Sequence, residues 1–232
     1  MAERTPLILL PGLLCDADLW AAQVAGLADV AQPEVADLTQ DDSVQAMAAR
    51  VLAQAPARFA LAGLSMGGYV AFEILRQQPQ RVSRLALLDT SAAPDAPARA
   101  ALRRRSLALL GRGRFLGVTR QLLPTLVHAR HVHGPVGHTV QAMAQRVGAE
   151  AYRRQQTAIL NRPDSRPLLP TVQQPTLLIV GEDDAVTPPA VVQAMAEGLP
   201  HARLHRLPDC GHLPTLEQPD TTTALLRTWL QG

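Results

Sequence analysis

Short apolar runs alternate with stretches of helical periodicity along most of this chain, and this alternation constrains the fold more than any other feature. Each run has about the length of a buried strand and is bounded by turn residues. The intervening segments repeat apolar residues at the 3.6-residue spacing of amphipathic helices. The predicted strands are residues 6–10, 34–38, 58–63, 83–89, 175–181 and 202–207. Strands that alternate with helices form a parallel sheet covered by helices on both faces.

The alternation breaks between residues 92 and 167, where Arg-rich helical stretches are separated by Gly and Pro and no strand is predicted. We expect residues 1–232 to form a single α/β domain, with 92–167 as a helical insertion. Open α/β sheets bind ligands at the carboxyl ends of their strands, so the insertion is expected to cover that edge.

Charge is divided unevenly between this insertion and the rest of the chain. The formal net charge is +2, yet the insertion holds 13 of the 22 Arg and only 3 of the 20 acidic residues. It therefore carries +10 and the remainder −8. A basic insertion favours an anionic substrate or an acidic carrier protein, although its arginines could instead pair with carboxylates of the rest of the chain or only solvate the insertion. The candidate anion-binding residues are Arg103, Arg104 and Arg105, with Arg112 and Arg114.

Composition argues against several other classes of protein. No apolar run approaches the roughly 20 residues that span a bilayer, and the first residues do not resemble a secretory signal. The two cysteines, Cys15 and Cys210, do not make a disulfide framework and are expected to fill apolar space. The expected location is cytoplasmic, with no nucleic-acid or membrane partner.

A serine lies where the third predicted strand becomes a helix, in the sequence GLSMG of residues 63–67. A G-x-S-x-G sequence in this position predicts a nucleophile elbow, in which the serine hydroxyl is held out on a sharp turn. Gly63 and Gly67 provide the room that such a turn needs, and Gly68 allows the helix to approach the sheet. The alternative is that Ser65 is only the cap of the helix, but its predicted partners favour the nucleophile.

A serine nucleophile needs a base that is oriented by a third group, and in this type of fold the chain order is Ser, acid, His. Asp183 and Asp184 follow the strand 175–181, and His212 follows the last strand. The other histidines lie in the insertion, before a strand or inside one. The stretch HVHGPVGH has no carboxylate or cysteine nearby, so it is interpreted as a polar loop and no metal site is predicted.

The developing oxyanion needs two backbone N–H donors. One is expected from Met66, directly after the serine. The other is expected from the loop 11–20 after the first strand, most plausibly at Leu13.

Taken together, these motifs resemble the α/β-hydrolase superfamily, specifically its small cap-bearing group of enol-lactonases, carrier-protein methyl esterases and carboxylesterases. The stretches that carry the resemblance are LLPGLLCDADLW, AGLSMGGYVAFEIL, RVSRLALLDTSA, LLIVGEDDAVTPP and DCGHLPTLEQP. The resemblance implies that Ser65 is the nucleophile, His212 the base and Asp184 the acid. Asp183 is the fallback for the acid, and Asp89 occupies the position that carries it in some relatives.

The resemblance also implies an open, mostly parallel sheet of about six strands with helices on both faces and a helical cap. The antiparallel strand pair that usually opens the fold is expected to be lacking. Pro11 stands where the family usually has His, which predicts a stiffer loop with an intact oxyanion hole.

The predicted activity is cleavage of a carboxylic ester, lactone or thioester through an acyl-enzyme, with no metal or organic cofactor. The substrate is expected to be a small molecule, with an anionic ester or an acidic carrier as further possibilities. The alternatives are a lyase or acyltransferase with the same triad, and a non-catalytic binding protein on this fold.

Overall fold

The computed structural model describes residues 4–112, 115 and 117–232, and these build a six-stranded sheet. The strands are β1 (Thr5–Leu10), β2 (Ala31–Val35), β3 (Phe59–Leu64), β4 (Val82–Leu88), β5 (Thr176–Gly181) and β6 (Ala202–Leu207). Their order across the sheet is β2-β1-β3-β4-β5-β6, and every pairing among the described residues is parallel. The predicted open α/β sheet is therefore confirmed.

Helices connect the strands and cover the sheet. They are α1 (Ala21–Gly26), α2 (Val44–Gln54), α3 (Met66–Gln77), α4 (Pro97–Leu110), α5 (Leu123–Leu126), α6 (Pro135–Leu160), α7 (Pro189–Gly198), α8 (Pro214–Glu217) and α9 (Pro219–Gln231). Ser43 caps α2, because its Oγ accepts a hydrogen bond from the Ala46 N–H at 3.2 Å. None of the helices formed by the described residues combines the length and apolar character needed to cross a membrane.

Both faces of the sheet are packed against apolar side chains, as expected for parallel strands. In β1, Ile8 and Leu10 pack into one hydrophobic cluster, while Leu7 and Leu9 point to the other face and join a second. Each buried leucine contributes roughly 1.5–3 kcal/mol. The strands that lead to the candidate site are therefore buried on both faces of the sheet.

The predicted bounds of the second strand were wrong. The apolar residues after Pro33 suggested a strand at 34–38, but β2 begins at Ala31 and includes Pro33, which is paired with Leu7. A proline is tolerated here because β2 is an edge strand, so no strand on its outer side needs a hydrogen bond from this position.

The described residues of the helical insertion (92–167) contain helices and loops but no strand, as predicted. Every residue of α4 remains at least partly exposed. In α6 the helix is interrupted at Gly148, which has a φ of 74°.

Candidate active site

Ser65 lies between the end of β3 and the start of α3, in a backbone conformation that is rare for a residue with a side chain. Its φ is 52° and its ψ −111°, a region that costs roughly 1–3 kcal/mol outside glycine. Three hydrogen bonds hold it there, one of which runs from the Gly68 N–H to the Ser65 carbonyl at 3.0 Å. The Ser65 N–H donates to the Leu88 carbonyl at 2.9 Å, and the Ser65 carbonyl accepts from Thr90 Oγ1 at 2.7 Å.

Glycine is needed around Ser65 because atoms of neighbouring segments fill the space where a side chain would lie. A Cβ on Gly67 would lie 2.2 Å from the Leu10 carbonyl oxygen, and a Cβ on Gly63 would lie 2.6 Å from the carbonyl of Gly67. A Cβ on Gly68 would lie 2.3 Å from Thr90 Oγ1. The close approaches predicted from the sequence are present.

Three side chains from distant parts of the chain meet at this turn. The Ser65 Oγ lies 2.8 Å from His212 Nε2, and His212 Nδ1 lies 2.8 Å from Asp184 Oδ2. The other oxygen of Asp184 accepts from the N–H groups of Val186 and Thr187, at 2.7 and 2.9 Å. His212 and Asp184 are almost fully buried. A fixed carboxylate against Nδ1 favours the tautomer in which Nε2 accepts the serine proton.

The other two candidate acids are placed differently. Asp183 is exposed, and its carboxylate faces His128 Nε2 at 3.9 Å. Asp89 is completely buried; its Oδ1 accepts from the Gly181 N–H at 2.9 Å, and the carboxyl group lies within 4.8 Å of the facing atoms of Asp184 and His212. Burial and the charge of Asp184 raise the pKa of Asp89 well above its ordinary value. Asp89 therefore lies behind Asp184 as a second buried carboxyl group, held by the Gly181 N–H and not by His212.

A buried carboxylate that the sequence analysis did not single out holds the His212 loop. Glu217 accepts from the N–H groups of Gly211 and Leu213, the neighbours of His212, both at 3.0 Å. It also accepts from the N–H of His128 in the helical insertion at 2.7 Å. Glu217 follows His212 by five residues within DCGHLPTLEQP, and this closeness in sequence is the signal that could have identified it.

The loop after β1 forms a tight turn beside Ser65. The Cys15 N–H donates to the Gly12 carbonyl at 3.2 Å, and Leu14 has a left-handed φ of 59°. Within the part of the chain that the structure describes, the Leu13 N–H donates no hydrogen bond. Met66 is the first residue of α3, so its N–H also lacks an intrahelical acceptor. The assignment of these two N–H groups to an oxyanion hole stays a prediction.

A cavity of about 310 Å³ opens onto Ser65 and His212. Its lining is mostly apolar and comes from the loop after β1, from Tyr69 and from the helical insertion. Of the predicted arginines, Arg103 lines it, whereas Arg104 and Arg105 are exposed and are not among the described lining residues. Consecutive residues on a helix point about 100° apart, so three neighbours cannot share one face.

Arg99 also lines the cavity, because it lies four residues before Arg103 on the same face of α4. The buried carboxylate of Asp95 contacts Arg103 at 2.5 Å, Arg162 at 2.9 Å and Arg99 at 3.8 Å. Burial alone would raise the pKa of Asp95, but the hydrogen bond from Arg162 and the charge of Arg103 outweigh burial and lower it. Three guanidinium groups share one carboxylate, which leaves this wall of the cavity positive.

Two further arginines, Arg112 and Arg114, were predicted as anion-binding residues. Arg112 is exposed, and Arg114 lies outside the described residues. Arg146 of α6 pairs with Asp16, at 2.7 Å, and with Asp18, both in the loop after β1. Some of the positive charge of the insertion is therefore used to attach it to the rest of the chain.

A family model for the alpha/beta hydrolase fold matches residues 5–219. The chain belongs to the α/β-hydrolase family.

Named relatives of this hydrolase include a pimeloyl-[acyl-carrier protein] methyl ester esterase of Aromatoleum aromaticum, with 30% identity over 82% of this chain and 81% of the relative. A thermophilic esterase of Thermogutta terrifontis, in a malate-bound structure, has 32% identity and a TM-score of 0.87 over 98% of this chain and 89% of that one. The enol-lactonase of Burkholderia xenovorans, with 23% identity and a TM-score of 0.85 over 100% and 93%, shares the fold. The hydrolase described here is an enzyme that acts on ester bonds, as the esterases among its relatives do.

Neither cysteine of the hydrolase has the surroundings of a reactive thiolate. Burial, followed by the nearby charge of Asp16, raises the pKa of Cys15 to about 12. Burial and the charge of Glu217 raise the pKa of Cys210 as well. Both thiols are neutral and buried, which agrees with their interpretation as apolar fillers.

Proposed function

We propose that this protein is a serine hydrolase that cleaves a carboxylic ester, lactone or thioester through an acyl-enzyme formed on Ser65. The observation that carries the proposal is the position of His212, whose two ring nitrogens lie 2.8 Å from Ser65 Oγ and 2.8 Å from Asp184 Oδ2. This is the geometry that a general base needs between a nucleophile and an orienting carboxylate.

In the proposed mechanism His212 Nε2 takes the Ser65 proton while Oγ attacks the ester carbonyl carbon. Asp184 stabilises the imidazolium that forms. The N–H groups of Leu13 and Met66 receive the oxyanion, with the N-terminus of α3 favouring its negative charge. His212 then protonates the leaving alcohol, and a water molecule activated by the same imidazole releases the acid and frees Ser65.

The single-domain organisation remains part of the proposal, with residues 92–167 acting as a cap. In support, the insertion supplies α4 and α6 side chains to the cavity above Ser65. The volume of about 310 Å³ is at the small end of ligand pockets, which favours a compact acyl or alcohol group. The positive wall at Arg99 and Arg103 favours an anionic group on the substrate.

An acidic carrier protein is the partner we propose for a carrier-linked substrate. A curated relative is named for a methyl ester on acyl-carrier protein. Arg105 is exposed on α4 about one turn after Leu102, which is 61% exposed and lines the cavity, and Arg104 is exposed on the adjoining face of the same helix. An acidic partner on this surface would place its linked ester near Ser65.

The hydrolase proposal is tested with a panel of p-nitrophenyl esters and the Ser65→Ala variant. The variant should keep its fold and its melting temperature and lose about 10⁴-fold or more in kcat, because the attacking atom is removed. Ester turnover by Ser65→Ala within tenfold of the parent enzyme would reject Ser65 as the nucleophile. Turnover of lyase substrates by the parent in place of esters would favour the alternative reaction on the same triad.

A further inference from the structure

The turn after β1 contains a strained residue, Leu14, directly after the predicted oxyanion donor Leu13. Leu14 has a φ of 59°, which costs a leucine roughly 1–2 kcal/mol relative to right-handed backbone. Relaxation of Leu14 would rotate the Leu13–Leu14 peptide and shift the Leu13 N–H next to it. A donor for an oxyanion has to be placed within a fraction of an ångström, so something must hold this turn.

Both polar atoms of the Leu13–Leu14 peptide have a partner. The Leu13 carbonyl accepts from the Cys15 thiol at 3.5 Å, a weak bond within the loop itself. The Leu14 N–H donates to Gln155 Oε1 at 3.0 Å, across 141 residues of sequence. The strong restraint on this peptide therefore comes from α6.

Gln155 is itself fixed in one orientation. It is fully buried, and its Nε2 donates to the Leu38 carbonyl at 3.2 Å while its Oε1 accepts from Leu14. Because one partner is an acceptor and the other a donor, the amide cannot be reversed without breaking both bonds. A buried amide with both ends bonded is a rigid clamp.

We infer that Gln155 is a positioning residue for the oxyanion hole: by holding the Leu14 N–H it keeps Leu13 in the conformation that presents its own N–H to the reacting carbonyl. The inference rests on the proposed function of the Ser65 site and extends it. The helical insertion thereby contributes to the rate of the reaction as well as to the walls of the cavity.

The test uses Gln155→Met, which keeps the length of the side chain but removes the accepting oxygen. We expect kcat for a p-nitrophenyl ester to fall about 10- to 100-fold, with KM within about threefold, because the lost contact acts on the transition state. The affinity for a boronic acid that forms a tetrahedral adduct on Ser65 should fall by a similar factor.

Arg154→Met is the matched control. Arg154 is the neighbour of Gln155 on α6 and donates to the Thr39 carbonyl at 2.8 Å, so it attaches the same helix to the loop after β2 without touching Leu14. Its kcat should equal that of the parent. A folded Gln155→Met enzyme with kcat within twofold of the parent would overturn the inference, and so would an equal loss of kcat in Arg154→Met. If Gln155→Met does not fold, Gln155→Asn, which is polar but one methylene too short, replaces it under the same criteria.

A second measurement does not depend on turnover. Hydrogen exchange of the Leu14 amide, followed by NMR, should be about tenfold faster in Gln155→Met than in the parent. A parent enzyme that hydrolyses no ester would count against the proposed function alone, because the amide exchange would still report the clamp. Unchanged exchange of the Leu14 amide would count against the clamp alone.

Discussion

Two buried carboxyl groups lie near His212, and their hydrogen-bond partners show which one orients it. Asp184 directs Oδ2 at His212 Nδ1, while Asp89 directs Oδ1 at the Gly181 N–H. Both follow a strand end at the same edge of the sheet, so the sequence left both open as the acid. The contact between Asp184 and His212 Nδ1 is what distinguishes the two residues.

Asp184→Asn should lower kcat about 10⁴-fold, because an amide does not stabilise the imidazolium and favours the wrong tautomer. Asp89→Asn should keep kcat within a few-fold of the parent, since Asn retains the oxygen that accepts from Gly181. Steady-state kinetics on one ester compare the two variants directly. The reverse pattern, a dead Asp89→Asn with an active Asp184→Asn, would assign the acid to Asp89.

The raised pKa of Asp89 makes the free energy of unfolding depend on pH. Its pKa is raised by burial and by the charge of Asp184, so the folded protein keeps a proton that the unfolded chain releases above about pH 4. This contribution to the free energy of unfolding is complete below the unfolded pKa and is lost as the pH rises towards the folded pKa. Asp89→Asn cannot titrate, so its stability relative to the parent should grow between pH 4 and pH 8 in urea unfolding. A difference that is constant over this range would mean that Asp89 is ionised in the folded protein.

At the scale of elements, the junction of β3 and α3 depends on the absence of a side chain at Gly67. The space there is filled by the Leu10 carbonyl of β1, which cannot move without disturbing the sheet. Gly67→Ala should lower the free energy of unfolding by about 1–3 kcal/mol and reduce kcat strongly by shifting Ser65. Chemical denaturation and ester kinetics measure the two effects.

Gly111→Ala is the control for this prediction. Gly111 ends α4 with a φ of −60°, and a Cβ there would meet its nearest atoms at 3.6 Å. That variant should change the free energy of unfolding by less than about 0.5 kcal/mol. Equal behaviour of the two variants would show that the close approach at Gly67 is not required.

Much of this arrangement could be predicted because it follows from local patterns. Apolar runs predict the strands, and parallel strands bring their carboxyl ends to one edge, which places Ser65, Asp184 and His212 near one another. Gln155 could not be predicted, because its hydrogen bond to Leu14 depends on how α6 packs over a loop 141 residues away. Nothing in the run RRQQ distinguishes it from a surface residue of a helix.

At the scale of the whole molecule, the uneven distribution of charge has two physical consequences. Arg146 pairs with Asp16 and so attaches the helical insertion, while Arg104 and Arg105 remain exposed near the cavity. Exposed arginines on one surface attract an acidic partner over about one Debye length, roughly 8 Å at physiological salt.

Arg104→Glu and Arg105→Glu should each raise KM several-fold for an ester linked to an acidic carrier protein and leave KM for p-nitrophenyl acetate unchanged. Added salt should reduce the difference between parent and variants, because it screens the attraction. Arg58→Glu, an exposed arginine just before β3, is the control and should behave as the parent. A carrier-linked ester with the same KM in all four proteins would remove the carrier from the proposal.

The proposed function depends on Ser65 Oγ being the atom that becomes acylated. Treatment with a fluorophosphonate followed by tryptic mass spectrometry measures this directly, because the reagent bonds to an activated serine. We expect one adduct, on the peptide of residues 59–76, with no adduct in Ser65→Ala and a much slower reaction in His212→Ala. An active esterase whose Ser65 stays unmodified while another residue carries the adduct would contradict the assignment of the site.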